Sequence, residues 1–339
     1  MAKDSELESD LQTSFSREGY IHIPGLLDEN EVSKLREGLC DRFKMVAEKK
    51  KLKMIHTLPP SYCFNDPLIY NLLLTEDVKN YLSNILGSDF ELIPDLEVHK
   101  NSFGLKKPRF FGLIKSGWHI DSGSEGSNEY LMDPDYKFVK CGLFLQDNTL
   151  EYGGGIEVTP GFYKFPIRTG LMKVDFFLRK IIHFFAVLFK SSVLNIKSGD
   201  FVAFHSFMPH RGVVPEGAIK TASQDNIEFS FLDLPERKSK YVVYFCACSK
   251  GFGAPYLRHA ISRSENEVKL ENPENSNYKN SAFFSDFAAM KYPDDFSDTF
   301  VNESKKLSIV TITNTGKLLL KAKKLLQDAV SQNKFGNIN

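Results

Sequence analysis

Cysteine is scarce in this chain. Five residues, Cys40, Cys63, Cys141, Cys246 and Cys248, make an odd number with no CxxC among them. The usage suggests a reducing compartment. Cys246 and Cys248 are too close in sequence for an easy disulfide. On a strand they share a face, either as buried small hydrophobes or as metal ligands. Net charge is also lacking, since 43 Lys+Arg balance 43 Asp+Glu. No global basic field is available to draw in nucleic acid, so none is expected as a partner. No apolar run reaches the roughly 18–20 residues of a membrane span. The acidic, polar opening MAKDSELESDLQ is not a secretory signal, and a cytoplasmic location is the expectation. Repeats and low-complexity segments are absent from the sequence. There is one tryptophan, Trp118.

An apolar content of 42% over 339 residues is enough to bury a sizeable core. Residues 4–18 carry Leu7, Leu11 and Phe15 at spacings of four, which predicts a short helix. A strand over Tyr20–Ile23 follows. Asp28 and Glu31 then stand at the spacing of a capping box, ahead of a helix with Val32, Leu35, Leu39 and Phe43 on one stripe. Residues 66–86 read as further helix, ending at Gly87. From about residue 90 the texture changes to short apolar runs between Gly, Pro, Asn and Asp: FELIPDLEVHK, SGWHID, KFVKCGLFLQD, GGIEVTP, DFVAFHS, NIEFSFLDL and KYVVYFCAC. Seven short strands separated by turn signals predict a sandwich or barrel. Two segments stand apart. Residues 168–196 predict an apolar helix that interrupts the strand series, either buried or serving as a lid or interfacial helix. Residues 316–330, GKLLLKAKKLLQDAV, predict a basic amphipathic helix, docked on its own domain or on a membrane.

The chemistry-bearing stretch is GWHIDSG, residues 117–123. On a strand, His119 and Asp121 point to the same side. A third ligand is offered by SGDFVAFHSFMPHRG (198–212), where His210 follows a Met208-Pro209 turn. Two imidazoles and one carboxylate on one face of an ion make the facial triad of non-haem iron oxygenases. His205 competes with His210, but it sits among Phe204, Ser206 and Phe207 and reads as a core histidine. His22, His56, His99, His183 and His259 lack a matching carboxylate in the sequence and read as structural.

Taken together, FSREGYIHIPGLLDENEVSKLREGL, WHID, VKCGLFLQDNTLEYGGGIEVTPGFYK and GDFVAFHSFMPHRG resemble, in that order, the phytanoyl-CoA dioxygenase family of Fe(II)/2-oxoglutarate-dependent oxygenases. The likeness spans roughly residues 12–248. It implies a mainly β fold with helical support (α+β): a double-stranded β-helix, the cupin-like jelly-roll barrel, behind N-terminal helices. A domain over 1–260 with a helical insertion near 168–196, then an extension over 261–339, is the expected organisation. The resemblance also implies iron on His119, Asp121 and His210, with 2-oxoglutarate and O₂ as cosubstrates. The far carboxylate of the oxoacid would lie on an arginine. Arg237 is the candidate, with Lys238 or Lys240 as substitutes and Lys100 as an assisting residue. Three departures from the family pattern are present: 27 residues separate His210 from Arg237, PGFYK stands where the family often has Pro-Gly-Ser-His, and the 168–196 insertion falls between the two halves of the barrel. Arg211 should point away from the ion.

The implied activity is hydroxylation of an unactivated C–H bond of a small molecule, lipophilic or otherwise, with release of succinate and CO₂. Halogenating relatives replace the carboxylate ligand with a small residue, so Asp121 favours hydroxylation. Desaturation and ring closure stay open, as does a non-catalytic jelly-roll binding protein. Peripheral membrane contact through 168–196 or 316–330 is a further expectation; oligomeric state is not legible.

Overall fold

The computed structural model describes residues 11–49, 55–58, 60–104, 117–121, 136–149, 155–164, 172–213, 229–231, 236, 239–253 and 298–311. In chain order these form α1 (11–18), β1 (Tyr20–Ile23), α2 (Glu29–Lys49), β2 (Thr57–Leu58), α3 (Pro60–Cys63), α4 (Pro67–Tyr70), α5 (Glu76–Leu86), β3 (Glu91–Lys100), β4 (Ser102–Gly104) and β5 (Phe138–Phe144). They continue as β6 (Ile156–Val158), α6 (Met172–Phe189), β7 (Ser192–Val193), β8 (Phe201–His205), β9 (His210–Gly212), β10 (Phe229–Phe231), β11 (Tyr241–Cys248), α7 (Asp298–Lys306) and β12 (Val310–Thr311).

The described residues form three sheets. The largest has seven strands in the order β1-β8-β5-β11-β3-β12, with β2 also on β3, and it is open rather than closed. The pairings β1–β8, β5–β8 and β2–β3 are antiparallel, and β12 joins β3 in parallel. The second sheet pairs β10 with β4, and the third runs β7-β6-β9; both are antiparallel. The chain is thus an assembly of mostly antiparallel sheets with helices. All five cysteines are buried thiols outside any disulfide.

Two compact units are distinguished. The first takes in Met1–Leu58, Val98–Met132 and Phe138–Tyr244, the second Pro59–Glu97, Asp133–Lys137 and Phe245–Asn339. In the first, the capping box forms as the spacing requires: the Asp28 amide donates to Glu31 Oε2 (2.9 Å) and the Glu31 amide to Asp28 Oδ1 (2.8 Å). The stripe Val32, Leu35, Leu39 and Phe43 is buried. Arg36 of α2 donates to the carbonyls of Leu145 and Glu236 and lies over the Tyr241 ring, so the helix is pinned where β5 ends and β11 begins. Asp200, just ahead of β8, is a buried hub. Its two oxygens accept from the amides of Gly25 (2.8 Å) and Lys197 (2.7 Å) and pair with His22 Nε2 at 2.7 Å. His22 therefore has a carboxylate partner after all, one contributed by a residue 178 positions away. Gly199 makes the turn before it at φ +86, where an added Cβ would lie 2.2 Å from the Leu27 carbonyl oxygen.

In the second unit, the expected helix over 66–86 is two helices. Asp66 caps α4 through the Leu68 amide, and Thr75 caps α5 through the Val78 amide. Two short polar side chains, each able to satisfy orphan N–H groups, start a helix twice where hydrophobic spacing alone suggested one. Gly87 ends α5 at φ +102. Phe300 of α7 is fully buried against Phe64 and Tyr70.

Candidate metal centre

His119 and Asp121 do not lie on a continuous strand. His119 makes an isolated antiparallel bridge with His210, the first residue of β9, each amide donating to the other's carbonyl at 3.0 Å. Directly opposed residues of an antiparallel pair project to one face. The two imidazole rings accordingly stand 4.3 Å apart between centroids. Asp121 is held by its own amide, which donates to the Ser206 carbonyl just after β8. The turn after β8 is closed by the Met208 amide on the His205 carbonyl, and Thr159 anchors Pro209 through both its amide and its hydroxyl. A two-residue sequence spacing and a strand 89 positions away thus meet at one point.

Three donor atoms, one from each of His119, Asp121 and His210, lie within 4.8 Å of one another. Asp121 Oδ1 is 3.6 Å from His119 Nε2, and Oδ2 is 3.5 Å from His210 Nε2. Ligands sharing an ion at about 2.1 Å stand roughly 3.0–3.4 Å apart for octahedral to tetrahedral angles. The triad is therefore within a few tenths of an ångström of coordination distance at both contacts. The tautomers suit it as well. His119 Nδ1 bonds the Gly117 carbonyl (2.7 Å) and His210 Nδ1 the Met208 carbonyl (3.0 Å), so in each ring the proton sits on Nδ1 and the Nε2 lone pair faces Asp121. Burial pushes His210 down to about 4, against the attraction of Asp121, so at neutral pH it is a neutral imidazole. It is 5% exposed, whereas the His119 side chain is nearly half exposed, which leaves one side of the site open to a small molecule.

The surroundings are specific. Phe204 of β8 packs its ring 4.5 Å from His210. Arg211 turns away from the centre, as expected, and donates through Nε to Glu157 Oε2 at 2.6 Å, both residues being buried. That pair sits on the β6–β9 ladder, where Glu157 faces Arg211 and Val158 faces His210. The Arg211 guanidinium also lies 5.6 Å from the Trp118 ring centroid. Trp118 therefore marks the joint between both histidine segments.

The other sequence candidates fall elsewhere. Arg237 and Lys238 lie outside the described residues. Lys100 pairs with Glu236 at 2.7 Å and lies over the rings of Phe43 and Tyr241. Lys240 is buried, which pushes it down to about 8, and its amide donates to Asn101 Oδ1 at 2.7 Å. His205 accepts from the Phe207 amide among the rings of Phe15, Tyr163 and Phe207, a core position. Cys246 and Cys248 lie near Asp95 and Glu91, at 3.5 and 3.8 Å.

Sequence reasoning missed Lys140. It lies on β5, its Nζ is 3.9 Å from Asp121 Oδ2, and it stands 5.3 Å from the Tyr244 ring centroid. Tyr244 itself is pushed up to about 12 by burial. A lysine flanked by apolar residues in VKCGLF was the available signal.

No known sequence-family model matches the chain, and no curated protein matches it. Among solved structures, HygX from Streptomyces hygroscopicus with nickel and 2-oxoglutarate bound is 13% identical, with 71% of this chain and 87% of that one covered at a TM-score of 0.48. The epimerase SnoN from nogalamycin biosynthesis is 15% identical over 73% and 84% at 0.45, and the carbocyclase SnoK from the same biosynthesis is 15% identical over 71% and 83% at 0.46. SnoN is described as alpha ketoglutarate dependent and has been solved with Fe3+, alpha ketoglutarate and a nogalamycin compound. Similarity at this level says nothing about the chemistry of His119, Asp121 and His210, which is read from their own geometry.

Proposed function

We propose that this chain is a non-haem Fe(II)- and 2-oxoglutarate-dependent oxygenase of the phytanoyl-CoA dioxygenase type, built on a jelly-roll and acting on a C–H bond of a small molecule. The observation that carries the reading is the convergence of two Nε2 lone pairs and one carboxylate, with both imidazole tautomers set by backbone carbonyls. His119, Asp121 and His210 would hold the metal. Bound there, iron with the oxoacid and O₂ supplies the oxidising power. The chain's own residues do the rest. Asp121 contributes the anionic ligand that favours divalent iron and occupies a position a halide would otherwise need. Phe204 and the buried side of His210 exclude water from one flank. Arg237 is the proposed partner of the oxoacid's far carboxylate, because a guanidinium binds it in a bidentate manner. Lys140 is the cation nearest the triad carboxylate among the described ion pairs, and it would compensate charge as an anionic cosubstrate enters. Lys100, engaged with Glu236, would act by fixing the start of β11. Hydroxylation is the outcome Asp121 favours, with desaturation or cyclisation as variants of the same chemistry.

The test is turnover of 2-oxoglutarate. Purified protein with Fe(II), 2-oxoglutarate, ascorbate and O₂ should release succinate and CO₂, and His210→Ala should not. Equal succinate from both proteins, or none from wild type with iron bound, would remove the oxygenase reading.

A further inference from the structure

Seven large hydrophobic side chains are exposed among the described residues, and six belong to one short stretch: Val174, Phe177, Ile181, Phe185 and Phe189 on α6, and Val193 on β7. The five on the helix recur at spacings of three, four, four and four, so they form one stripe along its length. Phe177 is 62% exposed and Phe189 73%. The Phe185 and Phe189 rings lie nearly parallel, 9° apart with centroids 6.3 Å apart, and Phe185 also meets the ring of Phe184 edge-on. Ala186, on the other side, is buried. An apolar helical stripe turned outward over about four turns is far more than the isolated exposed hydrophobics of an ordinary surface.

Charge indicates what covers it. The chain as a whole is neutral, yet residues 172–190 carry Lys173, Arg179, Lys180 and Lys190 against the single acid Asp175. Lys180 and Lys190 are exposed. A second copy seated on the stripe would bring eight cations together against two acids. Spanning a membrane is not the role, since no helix among the described residues is long and apolar enough for it. Phenylalanines on one side of a helix, with cations free to reach headgroups, describe a helix lying in the plane of an anionic bilayer.

We propose that α6 is an interfacial membrane anchor that docks the protein on anionic phospholipid, with Phe177, Ile181, Phe185 and Phe189 inserted among acyl chains and Lys180 and Lys190 at the headgroups. The inference stands independently of the oxygenase reading. If both hold, the site works beside a bilayer.

The test is flotation of the full-length protein with phosphatidylcholine vesicles, with and without phosphatidylserine. Wild type should float with the serine-containing vesicles, and less so as salt is raised. Phe177→Ser/Phe185→Ser should weaken binding about a hundredfold or more, given the apolar area removed. Lys180→Glu should weaken it several-fold on anionic vesicles alone. Both substitutions are at exposed positions, and unchanged thermal unfolding checks that the fold is kept. Three results would overturn the proposal: no flotation of wild type, flotation undiminished by the double Phe substitution, or a wild-type dimer that the same substitution dissociates.

Discussion

Removing the Glu157 carboxylate isolates one link between the scaffold and the candidate metal centre. In Glu157→Ala, Arg211 stays buried, with its side chain only 10% exposed, and loses the oxygen its Nε contacts at 2.6 Å. Removing one member of a buried pair costs about 3–5 kcal/mol, because a desolvated charge is left behind. Arg211 keeps its place over Trp118, so the lower end of that range, about 3 kcal/mol, is expected. Replacing both partners with apolar residues, as Glu157→Leu/Arg211→Met, removes the orphaned charge and should return stability to within about 1 kcal/mol of wild type. Urea unfolding followed by tryptophan emission reads the effect at the site, since Trp118 is the sole tryptophan and touches the pair. Because Glu157 and Arg211 face each other one step along the ladder from Val158 and His210, the single variant should also bind Fe(II) more weakly. A single variant within about 1 kcal/mol of wild type, or a double variant as unstable as the single, would show that no orphaned charge sets the cost.

Other consequences are as direct. Asp200→Asn keeps one acceptor and loses the other, so at least one of the Gly25, Lys197 and His22 contacts fails; a loss of about 2–3 kcal/mol is expected in urea unfolding. In metal-free protein, His210 takes up its proton near pH 4 when folded and near 6.5 when unfolded. Between those values the unfolded chain binds the extra proton, so stability falls as pH drops, by about 2 kcal/mol from pH 7 to pH 5. His210→Gln should flatten that slope in urea midpoints taken at both pH values. Lys140→Met should raise the 2-oxoglutarate concentration needed for half-saturation, read by competition binding, without changing the stoichiometry of bound metal.

Much of the candidate site was legible because its signals are local. The i, i+2 spacing of His119 and Asp121 and the turn before His210 are carried by adjacent residues, and so is the capping box at Asp28 and Glu31. What was not legible depended on pairing between distant segments. His22 has no acidic neighbour in sequence, and only the β1–β8 register brings Asp200 to it. Lys140 lies opposite Phe204 on the β5–β8 ladder, and that pairing, not its own neighbourhood, sets it beside the triad. The break between α4 and α5 escaped because apolar periodicity continues through the capping residues. For α6 the sequence showed an apolar helix but not which side would be covered, since the same composition suits a core helix and an interfacial one.

Chelation of iron by His119, Asp121 and His210 together with 2-oxoglutarate is read directly by an anaerobic titration of the purified protein with both. A visible metal-to-ligand charge-transfer band should grow to one equivalent of Fe(II) in wild type, be absent in His210→Ala, and require much more oxoacid in Arg237→Ala. Iron bound at this triad with no such band at any oxoacid concentration would contradict the account.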